Sequence, residues 1–228
     1  MDTTQPLAMS GVRLGPLLIS DTVLTTWGVM LALWLFSWLV CRRLRTEPGS
    51  LQTALEGIVG VIEDAISGVL PQYTREVLPF IGTLWLFLVV ANLVGLIPGL
   101  HSPTRDLSAT TALAILVFLS VHWFGIRTQG ARSYLGHYLR PSPLLLPFHL
   151  ISEISRTVAL AVRLFGNMMS LEMAAVLILL VAGFLAPIPI LMLHIIEALV
   201  QAYIFGMLAL IYICGGIQAR QHKASQKE

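Results

Sequence analysis

The chain has 228 residues, of which 56% are hydrophobic and only 11% are charged. A soluble domain carries about 25% charged residues, so this chain has too little charge to cover a water-facing surface. Its net charge of +2 decides little by itself. The two cysteines, Cys41 and Cys214, are too few for a disulfide framework or a metal-ligand cluster. The composition therefore predicts an integral membrane protein without a bound cofactor.

The apolar runs, taken in chain order, predict an all-α membrane protein with five crossings. A crossing needs about 20 mostly apolar residues. We expect crossings at 22–40, 78–97, 109–126, 144–182 and 189–217. The mixed segment 50–73 is typical of an amphipathic helix on the membrane surface. The whole chain, 1–228, is predicted to form a single membrane domain.

The last two crossings are predicted to form a long helical hairpin, with a turn that begins at Gly183. Each arm is longer than a perpendicular crossing, and such helices tilt or kink in the bilayer. The sequence therefore predicts a tilted hairpin at the end of the fold.

The basic residues predict how the chain is oriented. Cytoplasmic loops carry an excess of Lys and Arg. Five crossings with the N-terminus outside leave only Arg13 and Arg105 on the outer side. Ten basic residues fall on the cytoplasmic side: Arg42, Arg43, Arg45, Arg75, Arg127, Arg132, Arg140, Arg220, Lys223 and Lys227. We interpret these arginine-rich loops as membrane anchors, and we expect no nucleic-acid partner.

The predicted hairpin carries ionisable and polar side chains that a bilayer penalises. A charged residue at a helix centre costs about 2.5–3.5 kcal/mol on insertion scales, so such residues indicate a functional site by default. The first arm contains His149, Ser152, Glu153, Arg156, Arg163, Asn167, Ser170 and Glu172. The second arm contains His194, Glu197 and Gln201.

Their spacing aligns many of them. Helical residues seven apart lie almost above one another. The series His149, Arg156, Arg163 and Ser170 has this spacing, and Ser152 and Asn167 fall on the same face. Glu153 lies to one side of this row, and Glu172 points nearly opposite Arg163. On the second arm the same spacing separates His194 from Gln201, and Glu197 is one turn from each.

The residue types suit an ion path. Arginine keeps its proton because its pKa is above about 12, so it holds a fixed positive charge and relays no proton. Glutamate and histidine titrate, and amides and hydroxyls bind water. A fixed arginine between titratable groups at two depths fits a path in which ions must not leak straight through.

Other interpretations stay open at this point. Arg156 and Glu153 are three residues apart and would make a local helical pair. Arg163 could also pair with an acid inside the protein. His194 could be a buried histidine whose hydrogen bonds are all made, and Asn92 could form a hydrogen bond that packs one helix against another. A secondary transporter or channel would explain the buried charges equally well but usually has an internal repeat, and we find none. A purely structural membrane scaffold would not explain why the chain carries Arg163, whose charge costs free energy in the bilayer.

Four segments resemble one family in the same order along the chain. Residues 161–168, AVRLFGNM, resemble the central motif of subunit a of F-type ATP synthases. Residues 92–98, NLVGLIP, and 103–107, PTRDL, resemble two earlier family segments. His194 and Gln201, followed by Tyr203-Ile204-Phe205, resemble the family's last helix. The resemblance extends from about Leu51 to Ile217.

The resemblance implies a non-catalytic stator subunit of a bacterial inner-membrane ATP synthase. Its implied partners are a rotating ring of c subunits, a b-type peripheral stalk and the remaining subunits, which carry out the ATP chemistry. Arg163 matches the essential arginine between two separate half-channels. Glu172, His194 and Gln201 match outer half-channel positions, and Asn167 matches a polar position near the arginine.

Some residues depart from the family pattern. At His149 the family commonly has a glutamate, and the acid here is Glu153. Arg156 adds a second intramembrane cation, and Met169-Ser170-Leu171 replaces smaller residues before Glu172. These departures resemble the N-type bacterial branch, which is associated with sodium transport, so both H⁺ and Na⁺ are open as the coupling ion.

Overall fold

The computed structural model describes residues 11–14, 17–42, 49–97, 100–130, 146–182 and 188–218. The turn beginning at Gly183 and seven of the ten basic residues used for orientation lie outside these ranges. Within these ranges, a short antiparallel hairpin, β1 and β2, precedes six α-helices. The elements are β1 Gly11–Leu14, β2 Leu17–Ser20, α1 Asp21–Arg42, α2 Ser50–Val69, α3 Thr74–Val94, α4 Leu107–Gln129, α5 Leu146–Ala182 and α6 Ile188–Gln218.

Five of these helices, α1 and α3 to α6, are long and apolar enough to cross a membrane. The predicted all-α membrane class with five crossings is confirmed. The β hairpin is a feature that the sequence analysis missed, because strands of four residues are too short to give a periodic signal.

The helix α2 is amphipathic and lies against α3 with Ile62 and Ile66 buried. It ends at Val69, four residues before the expected boundary, and α3 begins at Thr74. Pro71 explains the early end, because the residue before a proline is disfavoured in helical conformation.

The core lies between α3, α4, α5 and α6. Its fully buried side chains include Leu88 on α3, Leu164 on α5, and Phe205 and Leu210 on α6. In contrast, α1 buries only Val29 among its residues and exposes most of its apolar surface. The helices α5 and α6 have 37 and 31 residues, which at 1.5 Å per residue makes them about 56 and 47 Å long. Both exceed the roughly 30 Å of a hydrocarbon core, so they must tilt or project beyond it.

The helices α3 and α6 approach closely at Gly206. A Cβ atom at that position would lie 1.7 Å from Nε1 of Trp85, so only glycine fits without movement. The Trp85 indole N–H donates to the backbone oxygen of Tyr203 at 3.3 Å, and the two rings stack with centroids 5.8 Å apart. This contact fixes the depth of α6 relative to α3.

The bundle has two ends, which we name after Arg105 and Arg127. The Arg105 end carries the 3-10 turn Pro103–Arg105, where α3 ends and α4 begins. The Arg127 end is the opposite one, where α4 ends and α5 begins.

Candidate functional site

Arg163 is exposed on α5. Its neighbour Leu164 is fully buried in the bundle. Within the described ranges, no hydrogen bond or ion pair joins Arg163 to another residue. The arginine is therefore presented outward from the hairpin and is not used to hold the hairpin together.

One turn along α5, an amide pair bridges the two hairpin arms. The Nδ2 of Asn167 donates to Oε1 of Gln201 at 2.7 Å. Gln201 is only 2% exposed, and its Nε2 has no hydrogen-bond partner in the described part of the chain. A buried donor without a partner is costly. The contact between the two arms therefore leaves one buried donor of Gln201 without a partner among the described residues.

Glu172 is paired with Arg105 at the Arg105 end. The Arg105 Nη1 lies 2.7 Å from Oε2 of Glu172. The other carboxylate oxygen, Oε1, is buried and has no hydrogen-bond partner among the described residues. A Cβ at Gly95 would lie 3.3 Å from this oxygen, so the glycine leaves room for the carboxylate. By the helical period, Glu172 is about 14 Å from Arg163 along α5 and faces the opposite way.

His194 belongs to a buried polar network at the same end. Its Nε2 lies 3.4 Å from the backbone oxygen of Asn92, whose side chain donates to the backbone oxygen of Ala198 at 3.2 Å. Thr104 donates to the Asn92 side-chain oxygen at 2.8 Å, and Ser102 lies 2.6 Å from Thr104. Asn92 thus acts as the expected helix-packing hydrogen bonder, and it also fixes the loop that carries Arg105.

Asp106 begins α4 and holds α1 beside it. Its carboxylate accepts from the Ser108 backbone N–H at 2.9 Å and from the Thr22 hydroxyl at 2.8 Å. Burial opposes ionisation of this group, but these hydrogen bonds and the nearby Arg105 outweigh it and hold the pKa of Asp106 below its ordinary value.

A second pair lies toward the Arg127 end. Oε1 of Glu153 on α5 is 3.9 Å from Nε2 of His122 on α4. Arg156 does not make the local pair with Glu153, because its guanidinium lies over the Tyr212 ring of α6, 5.6 Å from the centroid. Such a cation–π contact stabilises a cation near an aromatic face.

The remaining predicted residues have less defined surroundings. Ser152 and Ser170 are exposed on α5, and Glu197 is half-buried on α6. His149 lies in the first turns of α5, and its side chain is outside what the structure describes.

The structure therefore brings Asn167 to Gln201 but leaves Glu172 and His194 in separate contacts. Sequence reasoning missed Arg105 and His122 as partners of the two acids. Arg105 had one signal, since it is one of only two basic residues on the minority side of the predicted topology. His122 had no signal, because a single histidine in an apolar helix is usually a packing residue.

Five apolar helices with ionisable residues inside the last two define a membrane protein of the ion-transporting class. The family model described as "ATP synthase A chain" matches residues 23–214. The chain is 64% identical over 228 residues to "ATP synthase subunit a 2" of Pelobacter propionicus, covering 100% of this chain and 98% of the relative.

Two further relatives agree. The chain is 65% identical over 207 residues to "ATP synthase subunit a 1" of Hahella chejuensis, covering 91% of this chain and 88% of the relative. It is 57% identical over 219 residues to "ATP synthase subunit a" of Legionella pneumophila, covering 96% of this chain and 95% of the relative. The chain belongs to the ATP synthase subunit a family. It is a bacterial membrane protein and a non-catalytic, ion-translocating subunit of the membrane sector.

Proposed function

We propose that this chain is the stator that passes ions to and from a rotating ring of c subunits, with Arg163 as the fixed charge between two offset half-channels. The observation that carries the proposal is the position of Arg163, exposed on α5 without an acidic partner among the described residues. A cation in that position costs free energy unless a partner supplies a carboxylate. Each c subunit supplies one as the ring turns.

The two acids of α5 mark the proposed half-channels. Glu172 is about 14 Å from Arg163 toward the Arg105 end, and Glu153 is about 15 Å away toward the Arg127 end. We assign Glu172, His194, Gln201 and Glu197 to the first half-channel. We assign Glu153, Arg156, His149 and Ser152 to the second, with Asn167 and Ser170 beside the arginine.

The apolar face around Arg163 is the proposed surface for the ring. Val162, Met169 and Met173 on α5 and Leu199 and Tyr203 on α6 are each more than 40% exposed. Lipid or a neighbouring subunit must cover them. The further proposed partners are a b-type peripheral stalk and the other subunits of an F-type ATP synthase in a bacterial inner membrane.

The proposed orientation has the N-terminus outside and the C-terminus in the cytoplasm, following the distribution of basic residues. The Arg105 end then opens on the outer side of the membrane and the Arg127 end opens to the cytoplasm. An ion that crosses 100 mV releases about 2.3 kcal/mol per charge, and two separated half-channels convert this free energy into rotation.

Cysteine cross-linking in the intact complex tests the proposed surface. In a background without Cys41 and Cys214, a cysteine at Val162 or Gly166 is expected to cross-link to a cysteine placed beside the ring carboxylate. Leu164→Cys is the matched control, since Leu164 is fully buried. Cross-linking at Leu164 and at neither exposed position would contradict the proposed face.

The coupling ion is a separate part of the proposal. Glu153 and Arg156 depart from the usual family pattern, and this departure favours the sodium-associated N-type branch. The test is ATP-driven sodium uptake by the purified complex in liposomes, with and without a protonophore. Uptake that persists with the protonophore identifies sodium as the coupled ion. Lumen acidification without sodium uptake identifies the proton.

A further inference from the structure

We propose that the row Trp34, Trp38 and Arg42 on α1 binds an anionic phospholipid, with the phosphate on Arg42 and an acyl chain beside the two indole rings. The inference is independent of the proposed ion path, because α1 carries none of the residues assigned to that path. The rings of Trp34 and Trp38 stack with centroids 6.5 Å apart and planes at 15°. The Cζ of Arg42 lies over the Trp38 ring, 4.2 Å from its centroid. Three side chains at successive turns of α1 therefore form one continuous stack.

The stack faces away from the rest of the bundle. Val29 is the one buried residue among the 22 of α1. At about 100° per residue, Trp34, Trp38 and Arg42 lie about 140°, 180° and 220° around the helix from it. The two indoles are 61% and 45% exposed, and Arg42 is exposed as well. In the membrane this side of α1 must meet lipid or another subunit.

The stack also has the depth that a phospholipid requires. With 22 residues, α1 is about 33 Å long, close to the roughly 30 Å of a hydrocarbon core. The Thr22 hydroxyl donates to Asp106 at 2.8 Å, so α1 begins at the Arg105 end of the bundle. Arg42, its last residue, is therefore at the opposite end, at the level of the headgroups. Trp38 is about 6 Å deeper and Trp34 about 12 Å deeper, where the acyl chains begin.

The charge of Arg42 has no acidic partner among the described residues. A guanidinium that stacks on an aromatic face keeps the N–H groups at its edge available, and these groups bind a phosphate in a bidentate way. Arg43 and Arg45 add positive charge to the same stretch of sequence.

This combination selects an anionic phospholipid over other phosphates. A free phosphate ion would leave the indoles of Trp34 and Trp38 uncovered. A zwitterionic lipid carries its own cation, which competes with Arg42 for the phosphate. An anionic phospholipid brings an uncompensated phosphate and acyl chains in one molecule, and anionic lipids are attracted to basic residues beside a membrane helix.

Two simpler explanations make different predictions. In the first, Arg42 is one of several basic residues that attract any anionic surface, and the stack has no role. The exact position of the charge then hardly matters. In the second, a membrane helix of a partner subunit covers the exposed side of α1. That side then contacts protein and not lipid.

The test is photo-cross-linking in the intact complex, reconstituted in vesicles with equal amounts of phosphatidylglycerol and phosphatidylcholine. A benzophenone amino acid replaces Leu35, which is 40% exposed and lies seven residues before Arg42, beneath it on the same face. The control is the same amino acid at Leu24, which is 42% exposed and lies on that face near the other end of α1. Mass spectrometry identifies what is cross-linked at each position.

The probe at Leu35 is expected to capture phosphatidylglycerol about fivefold more often than phosphatidylcholine, since one basic residue near a membrane surface contributes a factor of this size. The probe at Leu24 is expected to capture the two lipids about equally. Arg42→Gln is expected to remove the preference at Leu35. Trp38→Leu is expected to lower it, because the guanidinium loses the ring that holds it.

Arg43→Gln is the matched variant, because it removes the same charge one residue later in the sequence. It is expected to keep most of the preference at Leu35. Equal losses in Arg42→Gln and Arg43→Gln, or a Trp38→Leu variant with the full preference, would show general attraction to an anionic surface and overturn the site. Cross-linking of the Leu35 probe to a protein subunit would overturn the choice of a lipid.

Discussion

Arg105 Nη1 lies 2.7 Å from Oε2 of Glu172, and this contact joins the loop before α4 to the helix that carries Arg163. The loop itself is fixed by the buried hydrogen bond from Thr104 to Asn92. Charge-assisted hydrogen bonds of this length are stronger than neutral ones. The carboxylate at the Arg105 end is therefore held in a defined place while its second oxygen stays free of hydrogen bonds to the described residues.

Removal of either side chain of the Arg105–Glu172 pair is expected to slow ion transport. We predict that Arg105→Gln and Glu172→Gln each reduce the ATP-driven rate, and that the double variant is no slower than Glu172→Gln alone. Because Arg105 is 41% exposed, the coupling is expected to be about 0.5–1 kcal/mol, a factor of about 2 to 5. Arg13→Gln is the control, since Arg13 lies in the N-terminal β hairpin. Multiplicative losses in the double variant would show that the two residues act independently.

Gly206 is expected to be intolerant of any side chain. A Cβ there overlaps the Trp85 indole, so Gly206→Ala must push α6 away from α3. We expect a loss of about 1–3 kcal/mol of stability, as for other overpacked cores. The measurement is the thermal unfolding midpoint in detergent, together with the yield of assembled complex.

Gly215→Ala is the matched control for that experiment. It lies on the same helix, nine residues later, and a Cβ there meets nothing within 4 Å. An equal loss in both variants would mean that the close approach at Trp85 is unimportant.

Asp106 is expected to stabilise the fold in a pH-dependent way. Its folded-state pKa is below the ordinary value, so the folded protein binds fewer protons than the unfolded chain and stability rises with pH. We expect Asp106→Ala to lose about 0.5–2 kcal/mol at neutral pH, as for other N-caps. The loss is expected to shrink as the pH falls below about 4, because the unfolded chain takes up the proton there before the folded protein does.

The measurement is the unfolding midpoint of both proteins from pH 3 to pH 7. Asp106→Asn keeps an N-cap acceptor without the charge. We expect its unfolding midpoint to lie between those of the wild type and Asp106→Ala. A wild-type advantage that stays constant down to pH 3 would contradict the role of the carboxylate.

The membrane helices could be predicted from the sequence because each rests on a local property, a run of apolar residues long enough to cross a bilayer. The same is true of the row on α5, since Arg163 and Ser170 are fixed on one face by the helical period alone. The end of α2 was predicted four residues too late, because Pro71 ends the helix early. The β hairpin was not predicted, because its strands are too short to give an alternating pattern of apolar residues.

The partners of the ionisable residues could not be predicted, because they depend on how separate helices pack. The local pair of Glu153 with Arg156 satisfied the helical spacing. The structure instead places His122, from a helix about 30 residues earlier, beside Glu153 and Tyr212 beside Arg156. Arg105 reaches Glu172 only because Asn92 and Thr104 hold its loop against α3.

The proposed function depends most directly on Arg163 as the fixed charge that couples ion movement to rotation. The decisive measurement is ATP-driven ion transport by the Arg163→Ala complex in liposomes, with Leu177→Ala as a control at another exposed position of α5. We predict that Arg163→Ala assembles and hydrolyses ATP but transports no ion against a gradient, while Leu177→Ala transports normally. An assembled Arg163→Ala complex that couples hydrolysis to transport at the wild-type rate would contradict the account.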